Sequence, residues 1–451
     1  MARYVDNHRL YQLPADVGIT SSVENPALNR LDISVSIPRQ DVRTCPCCGS
    51  HHCIIKDSGR DRTVRHVPVA NRSTFVTFHQ DRFLCKDCGS SFYGPVEWAH
   101  ERLHMTNALV VDICLHLTEM TSIQEIAHKE FIPDDAVLSV FDIISIAPPS
   151  SLPSVLCVDE FKGDTGSFDP KAKRWDTNKF QCNITDGDSR VLIDVLPIIK
   201  GDYLTSYFMG YPLEERSKGK YFCCDMHAGF VGVAKRCFPN AEVCIDTFHV
   251  VHRLNEAMDS IRRRIQNGLD EEDPRASGDP LRCTRTLKNS AYLLKTKEAN
   301  KGGLWGTQSS KKQERLDLVL GLYPELGEMY DRLQEFLSII DMDSYVLQRV
   351  HFSDWLLRAA SSEVPEIRAA AKTLKHWRGY IQNTWRSGHT NGTAEGINNK
   401  IKVLKRISYG LRNFENLRKR LLLVCGAVRM ERSPANTIYQ SLNEKKGVIQ
   451  L

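Results

Sequence analysis

Two matched cysteine pairs constrain this chain more than anything else in it. Cys45 and Cys48 (TCPCCGS) and Cys85 and Cys88 (LCKDCGS) share a two-residue spacing, and each pair is followed by Gly and Ser. That spacing bends a tight turn that aims both thiolates at one point, and Gly49 and Gly89 permit the backbone conformation it needs. Four thiolates complete a tetrahedral structural zinc site. Between the pairs, VRHVPV and STFVTFHQDRFLC alternate like antiparallel strands, so the segment is expected to be a zinc ribbon. Cys47, Cys53, His51, His52 and His66 stand close by in sequence and leave the ligand set open. Arg60, Arg62, Arg65, Arg72 and Arg82 would give the ribbon a phosphate-contacting surface.

The remaining cysteines read differently. The chain has fifteen, an odd number, and Cys114, Cys157, Cys244 and Cys425 each lie singly in apolar runs. Buried reduced thiols in a cytoplasmic protein are expected, rather than a disulfide scaffold. The first residues, MARYVDNHRLYQLPAD, have no apolar core and do not read as a secretory signal. The longest apolar run, Leu421 to Val428, is far short of the ~20 residues that cross a bilayer, which excludes a helical membrane protein. The net charge is only +5, but from Lys400 to Arg429 there are nine Lys/Arg and one acid, Glu415. Positive charge is therefore concentrated near the C-terminus.

After the ribbon the period becomes helical: ALVVDICLHL, SIQEIAHKEF and DDAVLSVFDII, with Thr121 or Ser122 and then Asp134 as caps. Three short helices of this kind resemble a helix-turn-helix, whose last helix enters the DNA major groove. A proline-rich linker follows. SVLCVDEF, the hairpin FQCNITDGDSRVLIDVLP, KYFCCDM, the amphipathic HAGFVGVAKRCF and AEVCIDTFHV then give the order strand, strand, strand, strand, helix, strand. This matches the start of a ribonuclease-H-like fold, in which the first and fourth strands are neighbours. Asp159 in the first and Asp225 at the end of the fourth would then meet, and paired carboxylates suit Mg²⁺ or Mn²⁺. Glu160 rivals Asp159, but adjacent strand residues face opposite sides, so only one can serve. Asp246 rivals Asp225 from a strand one place further away.

Residues 251–383 are helical by pattern, with tryptophans that read as core anchors. The stretch TAEGINNKIKVLKRI follows, with Thr390, Asn391 or Thr393 as cap and an apolar stripe of Ile397, Ile401, Leu404 and Ile407. Glu395 in its first turn is the candidate third ligand. Lys400, Lys402, Lys405 and Arg406, with Arg412 beyond, would contact phosphates. The expected organisation is an N-terminal extension (1–40), zinc ribbon (41–100), helix-turn-helix (101–145) and linker (146–153). The first part of the core (154–250), a helical insertion (251–383), the core's C-terminal helices with Glu395 (384–430) and a tail (431–451) complete it. The fold class is thus multidomain α+β.

The two CxxCG knuckles with RHVPV, VDEF, DMHAGF, FPNAEVCIDTFHVVHRLNEA and TAEGINNKIKVLKRISYGLRNFENLRKR together resemble the bacterial insertion-sequence transposases of the ISL-three family. The resemblance covers nearly the whole chain. It implies a zinc-binding N-terminal domain and a ribonuclease-H-like core interrupted by an all-helical insertion. It also implies an Asp-Asp-Glu triad, falling on Asp159, Asp225 and Glu395. Two Mg²⁺ or Mn²⁺ ions per site would support cleavage at the terminal inverted repeats and strand transfer into target DNA. A homodimer or larger assembly on DNA is implied, in a bacterial cytoplasm, at the nucleoid when DNA-bound. The alternative is a transposase descendant that binds DNA without cutting it. His249 and His252 receive no catalytic role.

Overall fold

In the computed structural model, residues 11–38, 44–147, 149–163, 167–169, 174–176, 180–271, 287, 291–295, 309–408, 413–426 and 449–450 are described. The first sheet is built on a long hairpin, β3 (Cys53–Val69) and β4 (Arg72–Cys85). Its turn is the two residues Ala70 and Asn71, both at positive φ (50° and 61°), which matches the right-handed twist of the strands. Two strands from the N-terminal extension, β1 (Gly18–Asn25) and β2 (Arg30–Ser36), complete the order β1-β2-β4-β3, and β5 (Ser91–Tyr93) adds to β4. Alternation buries Val64, Val76 and Phe78 on one face against Leu31 and Ile33.

Three helices follow: α1 (Asn107–His116), α2 (Ile123–Lys129) and α3 (Asp134–Ile143). Thr106 and Ser122 cap the first two, their hydroxyls accepting from the Leu109 and Glu125 amides. The third start departs from expectation. Pro133 holds the cap position without a side-chain bond, and Asp134 lies inside the first turn, where its charge favours the helix dipole. Leu109, Ile113, Ile126, Val137 and Phe141 form the module's core together with Val67 of β3.

The second sheet has the order β8-β7-β6-β9-β10, where β6 is Val155–Lys162, β7 Phe180–Asp186, β8 Leu192–Leu196, β9 Tyr221–Cys224 and β10 Glu242–Ile245. β7 is antiparallel to β6 and β8, while β9 runs parallel to both β6 and β10. The first and fourth long strands are neighbours, as the strand order predicted. Between β6 and β9, three features went unpredicted. They are a small hairpin (Ser167–Asp169 with Arg174–Asp176), α4 (Gly201–Met209) and α5 (Leu213–Ser217), the two helices lying between β8 and β9. The GDTGS turn lies largely outside the described residues.

The sheet is covered on both faces. Leu156, Val158, Ile184 and Phe222 face α4 and α6 (Ala228–Cys237). On the other face, Phe161, Leu192 and Val195 meet Ile397, Ile401 and Leu404 of α12 (Gly392–Ile407) and Leu417 and Leu421 of α13 (Phe414–Cys425). The intervening helices are α7 (Thr247–Glu271), α8 (Ser309–Leu322), α9 (Pro324–Ile340), α10 (Tyr345–Ala360) and α11 (Pro365–Ser387). Trp355 is fully buried among them and donates to the Arg332 carbonyl at 2.9 Å, so it is a core anchor. α11 covers the β10 edge. Thr384 Oγ1 donates to the Ile245 carbonyl at 2.7 Å and Asn383 Nδ2 to that of Val243 at 2.9 Å, blunting an edge that would otherwise pair. No described helix is long and apolar enough to cross a membrane.

Candidate active site and metal centre

The two knuckles adopt the same loop. Gly49 and Gly89 sit at φ 73° and 72°, and their amides donate back to the carbonyls of Cys45 and Cys85 at 2.9 and 3.0 Å. The paired loops bring Cys45 Sγ to 3.7 Å from Cys88 Sγ and Cys48 Sγ to 3.7 Å from Cys85 Sγ. Four thiolates at about 2.3 Å from one zinc ion stand about 3.8 Å apart, so the cluster has the right size. Hydrogen bonds from the Ser90 side chain and backbone lower the Cys88 pKa, which favours its thiolate. The ligand set left open by the sequence is thereby narrowed. Cys45, Cys48, Cys85 and Cys88 are, among the described residues, the one group of three or more such side chains whose ligand atoms all lie within 4.8 Å. His66 is elsewhere, buried between Thr106 Oγ1 (2.8 Å) and the Tyr11 carbonyl (2.5 Å), and burial lowers its pKa to about 4. His52 pairs with Asp87 at 3.1 Å.

The acids assemble along three neighbouring strands, Asp159 within β6 and Asp225 and Asp246 directly after the last residues of β9 and β10. Cys157, Cys223 and Cys244 stand side by side in β6, β9 and β10. Asp159, Asp225 and Asp246 each follow two residues later, which puts them on the same face by the strand period. That is the α12 face, on which Asp159 meets Asn398. Asp159 is 7% exposed, and burial first, then the Asp225 charge, raise its pKa to about 7. Asp159 Oδ1 accepts from the Glu160 amide at 2.8 Å and Oδ2 from Asn398 Nδ2 at 2.7 Å. Asp225 Oδ1 accepts from Asn391 Nδ2 at 3.3 Å and lies 2.9 Å from His249 Nε2. Burial works against a charged His249, but its bond to Asp225 and the surrounding acids raise its pKa overall. Asp246 is also buried. It accepts the Phe248 amide at 3.0 Å and so caps the start of α7, a structural employment that Asp225 does not have.

Glu395 is exposed in the first turn of α12, between Asn391 and Asn398 at helical spacing. Its charge adds to the raised pKa of Asp246, whose main cause is burial. The three acids are not drawn as close together as the four thiols. A buried carboxyl kept partly protonated by a neighbouring carboxylate is the setting that a hard divalent cation neutralises, and these oxygen donors fit Mg²⁺ or Mn²⁺. Sequence reasoning singled out the acids, named Asn391 only as a helix cap, gave His249 no role, and did not name Asn183 or Asn398. The available signal was polar residues inside apolar runs (FQCNITD, GINNKI), because a buried polar group must find a partner.

The basic candidates divide. Lys400, Lys402 and Arg406 project from α12 opposite its buried stripe and are exposed. Lys405 is half-buried and donates to the Lys162 carbonyl at 2.5 Å. Arg62 corrects an expectation. It is buried, with its guanidinium donating to the carbonyls of His100 (2.6 Å) and Glu101 (3.2 Å), because alternation along β3 turns it inward. Arg65 is half-buried against the Phe75 ring at 5.1 Å, and Arg72 pairs with Glu24 at 2.7 Å. Arg412 lies outside the described residues.

Comparison with known proteins gives a consistent picture. The profile of the ISL3 transposase family, described as a transposase, matches residues 156–421. That of the zinc finger of the IS204/IS1001/IS1096/IS1165 transposases matches residues 41–88. The transposase for insertion sequence element IS1001 of Bordetella parapertussis is 24% identical over 387 residues, covering 84% of this chain and 87% of that protein. The transposase for IS1557 of Mycobacterium tuberculosis is 29% identical over 194 residues, 40% of this chain and 42% of the other. A Lactococcus lactis protein called an ATP-dependent protease is 31% identical over 24% of this chain and 33% of its own length. This chain carries no G-x-x-x-x-G-K-S/T phosphate loop that would support ATP chemistry.

Proposed function

The chain belongs to the ISL3 family of transposases, and from that premise we propose that it binds the terminal inverted repeats of an insertion sequence, cleaves DNA there and joins the ends to target DNA. The observation that carries this reading is the meeting of Asp159 and Asp225 on neighbouring strands, under a helix that bears Glu395 between two asparagines touching those aspartates. The order β8-β7-β6-β9-β10, with β7 reversed, supports a ribonuclease-H-like core. The three-helix module supports a helix-turn-helix beside the ribbon, the two together reading the element ends as a homodimer or larger assembly.

Asp159, Asp225 and Glu395 would hold two Mg²⁺ or Mn²⁺ ions, which when bound supply Lewis-acid activation of the attacking oxygen and neutralise the leaving one. In the first step water attacks phosphorus, the P–O3′ bond breaks, and the element keeps a free 3′-hydroxyl while its flank keeps the 5′-phosphate. In the second that hydroxyl attacks a target phosphodiester and a target 3′-oxygen leaves. One phosphodiester is exchanged for another, so no external energy source enters. The chain's own contribution is placement. β6 and β9 hold the aspartates in register, α12 supplies the glutamate, and exposed Lys400, Lys402 and Arg406 draw the DNA backbone to the same helix.

The test incubates the full chain with labelled duplexes carrying the element's ends and a target plasmid, in Mg²⁺ or Mn²⁺. Nicks leaving 3′-hydroxyls at the ends, followed by joined products, are expected. Cleavage without joining would make the protein a nuclease, and end binding without cleavage would make it a binding protein.

A further inference from the structure

We propose that Asn391 and Asn398 are positioning residues that set the Asp159 and Asp225 carboxylates for cation binding and lock them to the helix carrying Glu395. This rests on the reading of those acids as ligands. Both asparagines are nearly fully buried, at 1% and 6% exposure, and both lie on the sheet-facing side of α12, seven residues apart. Two helical turns separate them, so they grip the strands at two points with Glu395 between.

The directions of the hydrogen bonds carry the inference. Asn398 Nδ2 donates to Asp159 Oδ2 at 2.7 Å and to the Glu160 carbonyl at 3.0 Å. Its own oxygen accepts from Asn183 Nδ2 at 2.5 Å, and Asn183 Oδ1 accepts from Thr185 Oγ1 at 3.2 Å. Asn183 Nδ2 also reaches the Ala394 carbonyl at 3.4 Å. The chain thus runs one way, from Thr185 through Asn183 and Asn398 to Asp159. An amide nitrogen has only protons to offer, so Asp159 Oδ2 is held as an acceptor, with its other lone pair available.

At the second grip, Asn391 Nδ2 donates to the Val158 carbonyl at 3.2 Å and to Asp225 Oδ1 at 3.3 Å. Asn391 occupies the cap position of α12, where an asparagine normally accepts from the helix's own amides. It makes no such bond, and its Oδ1 is buried with no hydrogen-bond partner among the described residues. The helix start forgoes its cap and orients the amide toward the strands instead. Groups that orient metal ligands commonly change affinity or activity about 10–100-fold when removed.

The experiment titrates Mn²⁺ into the zinc-loaded full chain by electron paramagnetic resonance, comparing wild type, Asp159→Ala, Asn398→Ala and Asn391→Ala. Circular dichroism and binding of end DNA report folding. Wild type is expected to bind Mn²⁺ in a manner that Asp159→Ala abolishes. Asn398→Ala should weaken that binding about 10–100-fold, and Asn391→Ala by a smaller factor, with folding and end binding retained. Folded Asn398→Ala protein with wild-type affinity overturns the proposal. If Asn398→Ala does not fold, Asn391→Ala decides, and wild-type affinity there overturns it equally. Wild type without Asp159-dependent Mn²⁺ binding defeats the underlying assignment of the ligands, a result distinct from asparagine variants that match a binding wild type.

Discussion

Asp159 is a carboxyl whose folded-state pKa, about 7, stands well above the ordinary value near 3.9, first because it is buried and then because Asp225 lies beside it. The folded chain therefore binds a proton that the unfolded chain has released between those values. The resulting stability is fully present below about pH 4 and is lost as pH rises to about 7, a change on the order of 4 kcal/mol for this group. Glu160, Asp246 and His249 are also raised and add slopes of the same sign. His66, buried with its pKa lowered to about 4, adds a slope of opposite sign below about pH 6.5, so the Asp159 contribution is read as a difference. In buffer free of Mg²⁺ and Mn²⁺, Asp159→Asn is expected to raise the melting temperature relative to wild type by more at pH 8 than at pH 4, as thermal melts across the range would show. An unchanged slope would mean that Asp159 titrates normally. At this scale the sequence exposed the acids, because an acid at the end of an apolar strand stands out. It did not expose their partners. Nothing in FQCNITD or GINNKI says that Asn183 and Asn398 will meet across 215 residues of chain. Nor does FHVVHR say that His249 will lie against Asp225.

Elements were legible in proportion to how locally they are determined. The ribbon's knuckles specify their own geometry through spacing and glycine, and they fold as the spacing requires. Zinc at that site contributes folding free energy on the order of 10 kcal/mol. Cys85→Ser is therefore expected to lose the bound zinc and open residues 44–93 to limited proteolysis, while the second sheet stays protected. Zinc content near one per chain in wild type and near none in the variant would be read by elemental analysis. Retained zinc in Cys85→Ser would mean that another ligand substitutes. β1 was not legible because Gly18–Asn25 is exposed and mostly polar, and it is a strand only through pairing with β2. α4 and α5 were missed because GDYLTSYFMGYPLEERS carries Gly and Pro punctuation that interrupts any helical period. Arg62 was misjudged for a related reason. A cation in a strand declares its charge in the sequence but not the face it will occupy.

Across the whole molecule, α13 is the staple. Arg420 is buried and donates to the carbonyls of Leu117, Glu119 and Thr121, the turn between α1 and α2. Lys419 donates to the carbonyls of Phe141 and Ile144 at 3.1 and 3.2 Å, so the three-helix module is fastened to the second sheet at two of its helix ends. Arg418 pairs with buried Asp194 of β8 at 2.6 Å, and Asp194 also accepts from the Tyr207 hydroxyl at 2.8 Å. Part of the C-terminal basic cluster thus holds the fold together, and the exposed cations of α12 are the ones proposed to meet DNA. Asp194→Ala should destabilise the protein by about 3–5 kcal/mol, since it leaves a partly buried guanidinium unpaired, and denaturant unfolding would measure it. Arg420→Ala is expected to leave three carbonyls without their donor and to increase amide hydrogen exchange in residues 117–121 while the exchange of β6 and β9 stays low. Such long-range fastening was invisible in the sequence, where Arg418, Lys419 and Arg420 are three letters of one charge run.

Whether Asp159, Asp225 and Glu395 act together is read by cleavage of element-end DNA in Mn²⁺ by Asp159→Ala, Asp225→Ala, Glu395→Ala and Asp246→Ala beside wild type, with end binding measured for each. Each of the first three is expected to lower cleavage by at least about 10³-fold with end binding retained, and Asp246→Ala, which removes a helix cap, to retain measurable cleavage. Cleavage that survives Asp225→Ala or Glu395→Ala but not Asp246→Ala would mean that the acids do not act as this triad.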